Sequence, residues 1–104
     1  ALGPHTAALG LNFATGQLLG ARFAQGAFIG LHGSWNRKPK AGYQVIFVPF
    51  AKGKPVGKPL PVLTGFLNAK GEARGRPVQV AIDRTGSLLV ADDAGNRIWR
   101  VSAQ

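Results

Sequence analysis

The segment HGSWNRKPK, residues 32–40, gathers the side chains best suited to chemistry. It holds an imidazole at His32, an indole at Trp35 and a guanidinium at Arg37, and two lysines follow. Arg binds carboxylates through a planar, permanently charged fork, and an aromatic face packs on a sugar or cofactor ring. The segment is therefore a candidate site for an acidic ligand. The alternative is a solvated loop whose cations serve solubility and whose Trp35 caps an apolar sheet face.

A second cationic segment, EARGRPVQV at residues 72–80, places Arg74 and Arg76 directly before an apolar stretch. Thirteen Lys and Arg against four Asp and Glu give the chain a formal charge of +9. Such a charge attracts polyanions, acidic cofactors and anionic surfaces at low salt, without selecting among them. Nucleic-acid binding is disfavoured, because the cations are scattered and an interleaved aromatic platform is missing.

Several classes of site are excluded by composition. The chain has no Cys, so it forms neither disulfides nor thiolate metal sites. No apolar run approaches the roughly 20 residues that cross a membrane. Asp92, Asp93 and Asn96 supply too few spaced oxygens for a calcium loop. The chain contains no Met and begins without a signal peptide, which is typical of a piece of a longer or processed protein.

Short apolar and β-branched runs between Gly- and Pro-rich turns predict an all-β chain with no convincing helix. A short helical turn at 17–25 is the exception. Residues 51–59, AKGKPVGKP, are predicted as a loop, since Gly and Pro interrupt a strand ladder. Pro61 indicates an edge strand. The seven predicted strands are 9–13, 27–31, 43–50, 60–66, 78–83, 87–92 and 97–102.

The strand order repeats, and this indicates a partial β-propeller. Four strands in residues 1–68 form a first antiparallel blade, and three strands in residues 75–104 form an incomplete second blade. A propeller normally closes with at least four blades, so two blades leave apolar sheet faces uncovered. We therefore expect the chain to be the C-terminal part of a larger propeller, or to associate with copies of itself.

Three long segments carry a family resemblance. LGPHTAALGLNFATG, GAFIGLHGSWNRKPKAGYQVIFVPFAKGKP and LTGFLNAKGEARGRPVQVAIDRTGSLLVADDAGNRIWRV resemble the C-terminal part of L-sorbosone dehydrogenases and related soluble aldose dehydrogenases. That family consists of six-bladed propellers, usually periplasmic or secreted. Its members oxidise sugars or sugar aldehydes with pyrroloquinoline quinone (PQQ), activated by a bound calcium ion. The last segment also resembles NHL-type propeller repeats, in which Asp92 accepts N–H groups of the following turn.

The resemblance implies roles for individual residues. Arg37 and Arg76 lie in loops at the same end of adjacent blades, where they would contact the PQQ carboxylates. The second Arg of related glucose dehydrogenases is replaced here by Val78, which leaves Arg74 as the alternative second cation. His5, His32 and Trp35 would contact the sugar or cofactor, or else serve structure.

The family's base and calcium ligands belong to earlier blades, so this chain alone should be catalytically silent. The competing interpretation is a non-catalytic, NHL-like binding or scaffold module that self-associates and holds an anion in its basic loops.

Overall fold

The computed structural model describes residues 6–14, 23, 25–34, 42–67, 72–84 and 86–102, and in these ranges the chain is all-β. All seven predicted strands are present, with one additional two-residue strand. The strands are β1 (Ala8–Phe13), β2 (Gly26–Leu31), β3 (Gln44–Ala51), β4 (Lys54–Pro55), β5 (Leu60–Leu63), β6 (Pro77–Ile82), β7 (Leu88–Asp92) and β8 (Arg97–Val101). The helical turn expected at 17–25 falls almost wholly outside the described residues.

The strands form two antiparallel sheets. In the first, β1 pairs with β2 and β2 with β3, while β5 pairs with β3 and lies at the edge, as Pro61 predicts. In the second, β7 lies between β6 and β8. The arrangement is a partial β-propeller, with one four-stranded blade and three strands of the next, as the sequence predicts. The proposed bounds of the two blades, 1–68 and 75–104, stay a prediction.

The prediction of a loop without strand pairing at 51–59 was wrong at its start. Phe50 pairs with Pro55 and Ala51 with Lys54 in a tight hairpin at the end of β3. The two turn residues between them have positive φ angles, 53° at Lys52 and 79° at Gly53. This is the backbone that two-residue hairpins favour, because its twist matches the strands. Pro55 is tolerated because β4 is an edge strand.

The core lies between the two sheets. Each sheet contributes alternate side chains from its inner face, as expected for strands with a period of two residues. The two inner faces therefore hold the blades against each other. The fully buried members of this cluster are Phe28, Val45, Phe47, Val80, Leu88 and Val90.

The apolar side of β1 faces away from this core. Leu9, Leu11 and Phe13 are 58%, 52% and 54% exposed, whereas Gly10 between them is buried. The reason is close approach of backbones, because a Cβ at Gly10 would collide with the second sheet, where Gln79 Cα would lie 2.6 Å away. The alternation in the sequence thus marks a second apolar face, on the side of β1 opposite to β6.

Candidate functional site

Three strand ends from the two blades meet at one end of the structure. His32 directly follows β2, Arg76 directly precedes β6, and Asp93 directly follows β7. Because β6 and β7 are antiparallel, Arg76 and Asp93 lie at the same edge of the second sheet, and His32 contacts both of them from the first sheet. The loop after β2, which begins HGS, thereby comes into contact with the second blade.

Arg76 binds the backbone of this HGS loop. Its Nε donates to the His32 carbonyl oxygen at 3.0 Å, and one terminal nitrogen, Nη2, donates to the carbonyl oxygens of Gly33 at 2.9 Å and Ser34 at 3.4 Å. The guanidinium carbon lies 5.1 Å from the centre of the Tyr43 ring. The planar fork suits this arrangement, because it directs several donors toward one loop while its flat face stacks on an aromatic ring. Arg76 therefore fixes the point from which the segment with Trp35 and Arg37 departs.

Tyr43 supports the same loop from the start of β3. It has a positive φ of 60°, which is costly for an aromatic residue, and its hydroxyl donates to the Ser34 carbonyl oxygen at 2.6 Å. Gly33 faces the ring, where an added Cβ would lie 2.7 Å from Tyr43 Cγ, and its own φ is 103°. Glycine meets both demands, since it lacks the Cβ and tolerates positive φ. The loop and the ring thus form one rigid support for Arg76.

His32 and Asp93 form an ion pair or hydrogen bond across the two blades. His32 Nε2 lies 3.0 Å from each carboxylate oxygen of Asp93. An ionised carboxylate only accepts hydrogen bonds, so Nε2 carries the proton that is donated to it. In the neutral imidazole this leaves Nδ1 as the acceptor. The His32 side chain is 18% exposed and that of Asp93 59%, so the pair lies at the surface.

Asp92 is the buried scaffold beneath this end of the blades. Only 3% of it is exposed, and its Oδ1 accepts the backbone N–H groups of Arg76 at 2.8 Å and Gly95 at 2.7 Å. Its Oδ2 accepts the indole N–H of Trp99 at 3.1 Å. Burial raises the pKa of this carboxyl, but the donated hydrogen bonds outweigh burial and the pKa is lowered. Asp92 is therefore charged at neutral pH and fixes the backbone of Arg76.

The prediction that Asp92 accepts N–H groups from the following turn is confirmed. Asn96 has a positive φ of 55°, which asparagine tolerates in a tight turn. Gly95 serves a different purpose, because a Cβ there would lie 2.9 Å from the Asp92 Cγ. Its value is the space that it leaves for the carboxylate.

Of the six residues predicted to contact cofactor or substrate, Arg76 and His32 come together. The exposed Arg74 lines a separate cavity beside Trp99, and neither His32 nor Arg76 lines that cavity. His5, Trp35 and Arg37 lie outside the described residues.

Sequence reasoning missed Asp93 and Tyr43 as members of the site. The sequence indicates Asp93 only as a metal ligand, and its pairing with His32 follows from the alignment of two blades. Tyr43 was assigned to a strand, which begins one residue later at Gln44. A possible signal was the Gly42-Tyr43 pair after a loop, since glycine often precedes a change of backbone direction.

Within the described ranges, no group of three or more His, Asp or Glu side chains is arranged to hold a metal ion. In the same ranges no helix is both long and apolar enough to cross a bilayer. The groups that the described residues bring together at this end of the blades are the Arg76 guanidinium, the His32 imidazole and the Asp93 carboxylate.

A family profile described as TrAA12-like matches residues 1–104. The chain belongs to the TrAA12-like family. One relative is an uncharacterized protein of Borreliella burgdorferi. It is 36% identical over 98 residues, which are 93% of this chain and 26% of the relative. A PQQ-dependent pyranose dehydrogenase of Coprinopsis cinerea is 44% identical over 48 residues, which are 46% of this chain and 6% of the relative.

Solved structures of related enzymes share the fold. The holo form of the PQQ domain of pyranose dehydrogenase from Coprinopsis cinerea superposes with a TM-score of 0.71 at 26% identity, over 95% of this chain and 27% of that one. A Trichoderma reesei structure of carbohydrate-active enzyme family AA12 gives 0.72 at 24% identity, over 90% and 24% of the two chains, and shows the fold alone. The TrAA12-like chain thus spans about a quarter of the length of these relatives. These comparisons relate the chain to a PQQ-dependent pyranose dehydrogenase and do not single out L-sorbosone dehydrogenases.

Proposed function

We propose that this chain is one part of a PQQ-dependent sugar dehydrogenase, in which it supplies cationic cofactor contacts and part of the pocket wall. The kinship to a PQQ-dependent pyranose dehydrogenase supports the reaction class. The finer assignment, oxidation of an aldose or of L-sorbosone, rests on the sequence resemblance. The remaining blades would complete the pocket, supply the catalytic base and bind calcium.

The observation that carries this proposal is that the Arg76 guanidinium forms no ion pair among the described residues. Within the described part of the chain, the ion pairs are His32 with Asp93 and Arg100 with Asp83, and neither includes Arg76. The Arg76 guanidinium instead contacts neutral carbonyl groups and the Tyr43 ring. Its second terminal nitrogen, Nη1, has no acceptor among the described residues. A fixed cation of this kind fits a cofactor that carries three carboxylates.

His32 is the proposed sugar contact beside this cation. Asp93 accepts the proton on Nε2, and this orients the ring with Nδ1 as the acceptor. An acceptor at that position can bind a sugar hydroxyl, and a carboxylate behind an imidazole strengthens it as an acceptor. Trp35, His5 and Arg37 are proposed to contribute to the same pocket, and Arg74 is the remaining candidate for a second cofactor cation.

When bound, PQQ would accept the two electrons that leave the sugar. This chain's own contribution is binding and orientation. Arg76 would hold a cofactor carboxylate, and the Asp92 scaffold and the HGS loop would keep that guanidinium in place. Such prior fixation matters, because a positioned cation costs no reorganisation during the reaction.

The compartment and the blade bounds complete the proposal. We expect the full-length protein to be periplasmic or secreted, which fractionation of the native host would test. Residues 1–68 and 75–104 are expected to be successive blades of its propeller.

The test compares Arg76→Gln, Arg76→Lys and the control Arg84→Gln in the full-length protein. Arg84 is an exposed cation in the turn after β6, at the opposite end of the second sheet. PQQ affinity is measured by titration in the presence of calcium, and folding by thermal unfolding. Losing a charge-assisted hydrogen bond weakens binding by about tenfold or more, so we expect this for Arg76→Gln and no change for Arg84→Gln.

The lysine variant separates charge from architecture. It keeps the cation but loses the fork that binds the HGS loop. PQQ affinity close to wild type in Arg76→Lys, together with lowered thermal stability, would support a charge contact to the cofactor. Full PQQ affinity in Arg76→Gln would refute the proposed contact.

The scaffold alternative is favoured by one observation, the exposed apolar side of β1. Light scattering on the isolated 104-residue chain tests it. A stable, symmetric oligomer that binds neither PQQ nor sugar would support a self-associating module.

A further inference from the structure

A cavity that the proposed function does not use opens between the two blades, next to Asp92. Its volume is about 300 Å³, near the lower end of ligand-binding pockets, which hold about 300 to 1,000 Å³. One wall follows β5, and the other is the start of β8. The lining residues are Leu63, Thr64, Gly65, Phe66, Arg74, Arg97 and Trp99.

The charge of this cavity is positive. Two of its lining residues, Arg74 and Arg97, carry guanidinium groups, and none of its lining residues is acidic. In the described part of the chain neither arginine belongs to an ion pair. Two like charges facing one space repel each other, and an anion between them relieves that repulsion. The neighbouring Asp92 is charged, but its oxygens accept the N–H groups of Arg76, Gly95 and Trp99, and neither Arg74 nor Arg97 forms an ion pair with it.

Both arginines are attached to a rigid support. The Arg97 guanidinium carbon lies 5.5 Å from the centre of the Trp99 ring, and the Trp99 indole N–H is held by Asp92. The backbone N–H of Arg74 donates to the Phe66 carbonyl oxygen, and the Phe66 ring meets Trp99 edge to face at 6.3 Å between centres. Aromatic and hydrogen-bonded supports lower the entropy lost when a ligand binds.

We propose that this cavity binds a small oxyanion, a carboxylate or phosphate group, carried by a compact polar body such as a sugar acid. The two guanidinium groups would bind the oxyanion, and the Thr64 hydroxyl and the rings of Phe66 and Trp99 would face the attached body. The volume exceeds the needs of a bare ion, which favours an oxyanion with a body. The cavity shares no lining residue with the proposed cofactor contact at Arg76, and assigning Arg74 to it replaces the alternative in which Arg74 contacts PQQ.

The experiment is isothermal titration of the full-length protein, without PQQ, using D-gluconate, inorganic phosphate and D-glucose as probes. Gluconate and glucose differ in the carboxylate, and phosphate tests the oxyanion without the body. Arg97→Gln and Arg74→Gln are the test variants, and Arg84→Gln is the charge-matched control. We expect gluconate to bind and each test variant to weaken that binding by about tenfold. Any binding of glucose at the proposed sugar pocket should be the same in the test variants and the wild type.

Binding of phosphate more tightly than gluconate would support the oxyanion site with phosphate as its source. A loss of glucose binding in the test variants equal to the loss of gluconate binding, no binding of either anion, or unchanged gluconate affinity in both test variants would overturn the proposal. PQQ affinity is measured on the same variants. If Arg74→Gln and Arg97→Gln weaken PQQ binding as much as Arg76→Gln does, the cavity belongs to the cofactor site and the proposal of a separate site is overturned.

Discussion

Replacing Asp92 with Asn tests the scaffold that joins the two candidate sites. Asn keeps the shape and one acceptor oxygen but removes the charge. Hydrogen bonds to charged groups contribute about 1.5–3 kcal/mol and neutral ones about 0.5–1.5, so the bonds from the Arg76 and Gly95 N–H groups would each weaken by about 1 kcal/mol. The new amide N–H₂ would face the Trp99 indole N–H, donor against donor, which leaves buried donors without acceptors at a cost of about 1–3 kcal/mol.

Removing the charge also removes the cost of burying it, which offsets part of these losses. We therefore expect Asp92→Asn to lower the free energy of unfolding by about 3 kcal/mol. The control is Asp93→Asn, whose side chain is 59% exposed, so we expect a cost below about 1 kcal/mol. Urea unfolding at pH 7 measures both variants in the full-length protein. Equal costs for the two variants would refute the scaffold role.

The pH dependence gives an independent test of the same carboxylate. The pKa of Asp92 is lower in the folded than in the unfolded protein. The resulting stabilisation is complete above the unfolded pKa, about 3.9, and is lost as the pH falls through the folded pKa. The wild type loses this contribution on acidification, whereas Asp92→Asn has none to lose. The difference between them should therefore be smaller at pH 3 than at pH 7, and a constant difference would contradict the assigned charge.

Two further predictions concern packing. Phe47→Ala should lower the free energy of unfolding by about 3–5 kcal/mol, because Phe47 is fully buried. Leu11→Ala should lower it by under about 1 kcal/mol in the isolated chain, because Leu11 is exposed there. A larger effect of Leu11→Ala in the full-length protein would show that a preceding blade covers β1. Gly75→Ala should lower the free energy of unfolding by about 1–3 kcal/mol, since its Cβ would lie 2.7 Å from Phe66 Cδ1 and against the Asp92 carboxylate. A free energy of unfolding within about 0.5 kcal/mol of the wild-type value would show that the loop adapts.

The strands were predictable because their signals are local. Residues 45–48 and 88–91 are runs of apolar and β-branched side chains, and each run lies within a strand. The hairpin at Lys52 and Gly53 is not predicted, since a high density of Gly and Pro indicates a loop without strand pairing. The backbone angles of the turn decided the outcome, and Gly53 was the available signal.

The alternation of apolar residues in β1 does not by itself show whether its apolar side faces the core or faces away from it. The sequence shows that Leu9, Leu11 and Phe13 share a face, and it does not show which neighbour that face meets. Tertiary contact decides this, because β1 lies so close to β6 that only Gly10 and the partly buried Asn12 fit between them. Small residues at such a crossing are as informative as large ones, since they mark where two backbones approach.

The sequence predicted some of the residues that form the candidate site, but not which of their atoms contact one another. The resemblance selected Arg76 and His32, which the structure brings together, but it assigned Arg76 only to a ligand. In the structure its Nε and Nη2 bind the HGS loop, and its guanidinium forms no ion pair among the described residues. An arginine can serve both purposes because its five N–H donors lie in one plane and point in different directions within it. Binding the loop fixes the guanidinium, and a fixed guanidinium is the better anion ligand, so architecture and recognition support each other at this residue.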